Sequence, residues 1–214
     1  MTDTVQSADE SLRPADESLR PADESREPRL LLTITGAIGL LAASILTIDK
    51  ISLLQAKVDG TEKALNCDIS AFVSCSGVME SDQASAFGFT NSIIGIIGFA
   101  VVLTLGVLLL ARVSLPSFIW LGLQAGTVIG IGFVTWLQIQ SIYDINLLCP
   151  WCMVVWTMTI PLFVGVTARN LRVYMPGSAV TRFVNNWTTL IIALWYLVVV
   201  AAIWFEFGAD RLFA

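Results

Sequence analysis

Leu147-Leu148-Cys149-Pro150-Trp151-Cys152-Met153-Val154-Val155-Trp156 sets a Cys-x-x-Cys pair on the threshold of a long apolar run. Two cysteines at this spacing, with Pro between them, form the unit with which thiol–disulfide enzymes pass two electrons. Pro150 suits the first turn of a helix, where its missing N–H would have had no partner. In that turn the free backbone N–H groups and the positive helix end favour a thiolate. The rest of the chain has to hold the pair at a membrane surface. It must also bring an electron donor to one side and an acceptor to the other.

The composition is one for lipid: 56% of residues are hydrophobic, only 14% are charged, and mean hydropathy is +0.76. A length of 214 residues fits one domain. The net charge of −5 is a local matter, because eight of the 17 acids fall in the first 29 residues. No basic groove is on offer, which excludes nucleic acid as a partner. The chain has no histidine. That removes the usual general base, His-based metal sites and Cys–His nucleophilic dyads.

Residues 1–29 form a polar tail with a short repeat, Asp9-Glu10-Ser11-Leu12-Arg13-Pro14-Ala15 followed by Asp16-Glu17-Ser18-Leu19-Arg20-Pro21-Ala22. Each copy offers one Leu and carries a Pro, so disorder is expected rather than a coiled coil. The apolar runs at 30–48, 92–111, 117–139, 147–168 and 187–205 are each near the length of a membrane crossing, about 20 residues. The first competes with a signal peptide. A long acidic tail precedes it and no small-x-small cleavage site follows, so it reads as an uncleaved anchor. With a cytoplasmic N-terminus, eight arginines fall on inner segments against four Lys and Arg on outer ones, as the positive-inside rule asks. All four cysteines then lie at the outer face, where disulfides persist.

The connection at 50–91 is the one long loop, and it carries Cys67 and Cys75 with Phe72, Val73, Val78, Met79, Phe87 and Phe89 as an apolar side. It reads as a lid over the bundle mouth. Four cysteines allow three pairings. A structural Cys67–Cys75 staple beside an independent Cys149–Cys152 site is one outcome. Two redox pairs that exchange is the other, favoured because both lie on one membrane face with no soluble core to staple. A four-cysteine zinc site sits poorly with an oxidising compartment. Asn91 can be a helix N-cap or a ligand donor, and Trp136, Trp151, Trp156 and Trp187 read first as packing or interfacial residues.

Cys67-x7-Cys75, Ser81, Phe87-Gly88, Asn91-Ser92-Ile93-Ile94-Gly95 and Tyr143-Asp144 ahead of Cys149-x-x-Cys152 resemble, in that order, the vitamin K epoxide reductase family. The resemblance covers about 31–168. The quinone-linked DsbB family differs, with its Cys-x-x-Cys in the first outer loop. The resemblance implies an all-α integral membrane protein: a four-helix transmembrane bundle enclosing a quinone site (30–170, with extracytoplasmic loop 50–91). A loop and fifth transmembrane helix (171–214) follow the tail and bundle. It implies that Cys152 faces the quinone, menaquinone or ubiquinone, and that Cys149 exchanges with Cys75. Cys67 and Cys75 would take electrons from an outside partner. Asn91 matches the position that hydrogen-bonds a quinone oxygen, and Ser81 a loop serine of the site. Trp156 stands where vertebrate members have Tyr; it has no hydroxyl, which weighs against epoxide chemistry.

The expected function is therefore a membrane thiol–disulfide oxidoreductase of a bacterial plasma membrane. It would reoxidise an extracytoplasmic DsbA-like or thioredoxin-fold partner and pass the electrons to quinone. Some members carry such a domain fused after the last helix. Residues 171–214 hold only a fifth span, so a separate partner is expected. The alternatives are a quinone or quinone-epoxide reductase serving a quinone cycle, and a non-enzymatic membrane protein with structural disulfides.

Overall fold

A computed structural model describes residues 26–61 and 64–212. The repeats expected to be disordered therefore lie outside the described residues. Five helices are long and apolar enough to cross a membrane, at Pro28–Val58, Ser92–Leu110, Ser117–Asp144, Pro150–Tyr174 and Ala179–Gly208. No strand occurs among the described residues. The protein is an all-α, multi-pass membrane protein. Its helices are α1 (Arg26–Val58), the short α2 (Cys75–Glu80), α3 (Ser92–Leu110), α4 (Ser117–Ile139), α5 (Pro150–Tyr174) and α6 (Ala179–Leu212).

The first helix does not stop where its apolar run stops. Residues 50–58, read from the sequence as the start of the loop, continue α1. No Gly or Pro interrupts them, and Leu53 and Ala56, one turn apart, are buried. Leu46, Leu53, Leu65, Met79 and the cysteines 67, 75 and 149 form one apolar cluster, so the extension is a post on which the loop rests. Lys50 Nζ reaches the Met79 carbonyl, and Lys57 Nζ lies 2.9 Å from Glu80 Oε1, tying α1 to the last two residues of α2. Gly60, at φ 65°, then turns the chain away.

Lipid tails are as apolar as Leu, so helices in a membrane associate through close backbone approach and interhelical hydrogen bonds, each bond giving about 1 kcal/mol. Both devices are present. A methyl group on Gly36 would fall 2.6 Å from the Leu103 backbone nitrogen, and one on Gly106 equally near Thr33. This packs α1 tightly along α3. At the far end from the cysteines, Asn170 Nδ2 donates to the Trp120 carbonyl and to Gln124 Oε1, each at 3.2 Å, binding α5 to α4. The Arg169 guanidinium lies 3.7 Å from the centre of the Trp120 ring.

α1 also packs on α5, but α3 and α4 scarcely meet. The four helices make a ring that is open on one side, with an apolar cavity behind the opening. α6 stands outside this ring, against α5 and the π-helical turn Gln140–Asp144 that ends α4.

Candidate functional site: a thiol relay above an apolar cavity

The loop is organised by Asp68. Its Oδ1 accepts from Ser74 Oγ at 2.8 Å and from the Ser76 N–H at 3.0 Å, and its Oδ2 from the Leu65 N–H at 2.8 Å. Ser74 is the N-cap of α2 and accepts from the Gly77 N–H at 3.1 Å. One carboxylate thus fixes the helix start that carries Cys75 and the turn that carries Cys67. Burial pushes the Asp68 carboxyl up. The hydrogen bonds from the Ser76 and Leu65 N–H groups and from the two serine hydroxyls outweigh that, and hold it below the usual carboxylate range. A carboxyl depressed in the folded state contributes stability above its unfolded pKa and loses it as pH falls through the folded value. Exchange protection over residues 64–80 should therefore stay level down to about pH 4 and drop below it. Asp68→Asn should lower protection at neutral pH and remove the acid step; an acid step that persists would place the titration on another group.

Cys67 and Cys75 form a disulfide, and Cys149 and Cys152 are free thiols. The two pairs are brought into register by backbone. The Leu148 N–H donates to the Phe72 carbonyl at 2.8 Å and the Ser74 N–H donates to the Leu148 carbonyl at 2.9 Å. This single parallel bridge, Val73 against Leu148, places Cys75 beside Cys149. The π-turn feeds it: the Ser141 hydroxyl donates to the Leu147 carbonyl and the Leu147 N–H returns to the Ser141 carbonyl. The outcome is a Cys149 Sγ to Cys75 Sγ distance of 3.4 Å, both residues fully buried.

Cys149 is the N-cap of α5 and Pro150 follows it in the first turn. A hydrogen bond from Cys152 holds the Cys149 thiol below its ordinary range against the opposing effect of burial, and the Cys152 and Trp151 N–H groups add to it. The Cys149 sulfur so held faces Cys75.

Cys152 points the other way. It is the one cysteine on the wall of a cavity of about 790 Å³. The wall is almost wholly apolar, running from Ser81, Gln83 and Asn91 at the cysteine end, past Trp156, to the buried Leu162 and the outward-facing Phe118 at the other end. Where α3 and α4 draw apart it is lined by Gly95 and Gly98 on one side and Gly122, Gly126 and Gly130 on the other.

The profile of the vitamin K epoxide reductase family matches residues 30–167, well over half of the chain. The chain belongs to that family. A search of curated proteins finds no match. Membership makes this an oxidoreductase, either a thiol–disulfide oxidoreductase of membranes or a quinone reductase, in a family that works with a thiol partner and the quinone pool.

The three further residues singled out by the family motifs all reach the cavity, in different ways. Asn91 occupies the N-cap position of α3 but its side chain caps nothing. Its Nδ2 donates to the Gln83 carbonyl at 2.6 Å, which fixes the amide and leaves Oδ1 buried with no partner. Ser81 donates to the Val78 carbonyl at 2.7 Å, so it closes the C-terminus of α2 before it can serve a ligand. Trp156 is buried and forms wall. Asp68, Ser141 and the Val73–Leu148 bridge were missed by the sequence reading. Asp68 and Ser74 do carry the marks of a cap ahead of a helix; the bridge leaves no mark.

Proposed function

We propose that the protein moves two electrons from an extracytoplasmic DsbA-like or thioredoxin-fold partner, through its two cysteine pairs, to menaquinone or ubiquinone, and so sustains disulfide formation. The observation that carries this reading is the position of Cys149, 3.4 Å from the loop disulfide at Cys75, with Cys152 one turn further on, opening to the cavity.

A partner thiolate attacks Cys67, the less deeply buried member of the loop pair, and Cys75 leaves as thiolate. The partner's second thiolate then takes its own disulfide and departs oxidised, leaving Cys67 and Cys75 with two electrons more. Cys75 attacks Cys149 of a Cys149–Cys152 disulfide and frees Cys152; Cys67 then attacks Cys75, reforming the loop disulfide and leaving Cys149 reduced. The cavity fits a quinone: its wall is apolar, the gap between α3 and α4 gives a polyprenyl tail a way out to lipid, and the unpartnered Asn91 Oδ1 would accept from a ring hydroxyl of the reduced, hydroquinone form. Bound there, the quinone supplies the final acceptor for two electrons and two protons per dithiol oxidised.

Charge supports the orientation that this reading needs. Arg29, Arg112, Arg169, Arg172 and Arg182 stand at the helix ends away from the cysteines, as the positive-inside rule asks of a cytoplasmic side with the relay outside. Trp156 in place of a phenol weighs against the epoxide-reducing alternative.

Cys75→Ser leaves Cys67 without its resolving partner. Expressed in its own cell, this variant should accumulate a mixed disulfide through Cys67 with a secreted thioredoxin-fold protein. If Cys67 carries no such adduct while the wild-type loop disulfide turns over, the partner reading fails.

A further inference from the structure

Beyond residue 167 the chain lies outside the family match, and most of α6 faces outward: Leu197 is 65%, Val200 63% and Phe205 87% exposed. Phe207 breaks that pattern, being only 2% exposed. Its side chain belongs to one apolar cluster with Ile142, Leu148 and Trp156, against which Phe72 and Cys152 also pack. The Phe207 ring meets the Phe72 ring edge-on, 6.1 Å between centroids.

These neighbours are the residues that set the relay. The Phe72 carbonyl and the Leu148 N–H make the bridge that aligns Cys75 with Cys149, and Cys152 and Trp156 face the cavity. The placement of Phe207 is itself fixed. Tyr196 donates to the Thr157 carbonyl at 2.6 Å, and the Trp195 and Phe163 rings meet at 6.3 Å, so α6 is pinned to α5 below it. Directly after Phe207 the helical path breaks at Gly208, whose φ of 62° suits a residue without Cβ.

We propose that Phe207 is a positioning residue for thiol exchange: it clamps Phe72, keeps the bridge in register so that Cys75 meets Cys149, and closes the α6 side of Cys152. The fifth helix is then a part of the redox site as well as a membrane span. This rests on the exchange between Cys75 and Cys149 proposed above.

The test uses full-length protein carrying Cys67→Ser and Cys152→Ser, in which Cys75 and Cys149 are the remaining thiols. Diamide joins them, taking two electrons and two protons as it becomes the hydrazine, and the rate per molecule is read by gel shift after alkylation. Adding Phe207→Ala should slow closure about tenfold, the effect of losing a large buried ring on a docked segment. Phe207→Leu should restore most of the rate, and Phe205→Ala, on the exposed face, should leave it unchanged. Equal rates with and without Phe207→Ala overturn this inference alone. A pair that fails to close with Phe207 in place overturns it together with the exchange reading.

Discussion

Replacing Cys152 by Ser should stop quinone reduction by the pre-reduced protein, lowering it by about three orders of magnitude or more. The size follows from where the cysteine stands. Of the four, it alone lines the cavity, so no other thiol can reach a ring bound there without moving the helix that carries it. A serine hydroxyl keeps the volume and the hydrogen bond to Cys149 but gives up no electron pair to a disulfide, so the pair cannot cycle. Fold and loop should be untouched, because Cys67 and Cys75 are bonded to each other and the bridge between Val73 and Leu148 is made of backbone. The measurement is quinone absorbance in membranes containing the reduced protein, with the variant beside it. Loss of activity in a variant that still folds and re-forms its Cys67–Cys75 disulfide on reoxidation supports the thiol-to-quinone relay. Reduction that continues without Cys152 would put the electrons on another path, and absence of reduction in both proteins would leave a disulfide-stapled membrane protein.

Much of this architecture was legible in the sequence, and the reason is physical. Hydrocarbon demands about 20 apolar residues with every backbone group bonded internally, so long apolar runs in this chain have few other forms open to them. The Cys-x-x-Cys was legible for a similar reason: Pro150 between the cysteines marks a helix start, and the helix does begin there. What stayed hidden was whatever depends on a single tertiary contact. The apolar run ends at Ile48, yet α1 continues ten residues to Val58, because Leu53 joins the cysteine cluster and Ala56, on the same face, is buried as well. The amide of Asn91 sits at a cap position, and only its bond to the Gln83 carbonyl shows that it turns into the cavity instead. The fifth membrane span showed in the sequence only as an apolar run; that one ring near its end is buried against the loop is a fact of packing. The bridge from Val73 to Leu148 spans 75 residues of chain and two hydrogen bonds, a pairing without periodicity to announce it.

That bridge makes the second large effect calculable. With Cys67→Ser and Cys152→Ser together, Cys75 and Cys149 should close to a disulfide nearly completely, and about a hundredfold faster than Cys67 and Cys149 in the companion variant Cys75→Ser with Cys152→Ser. Groups joined by a flexible chain meet at millimolar effective concentration, whereas groups held in contact exceed that by orders of magnitude. The 3.4 Å separation puts Cys75 and Cys149 in the second class, and its cost has already been met by the bridge, the Asp68 cap and the post of α1 beneath the loop. The sequence of the relay depends on this difference. If Cys75 closes faster, Cys75 is the inner cysteine of the loop pair and Cys67 is left to face the partner. If the rates are alike, the loop samples both arrangements and the order of exchange is not built into the fold. A faster Cys67 would reverse the two roles, and Cys67→Ser, not Cys75→Ser, would then be the variant that captures the partner.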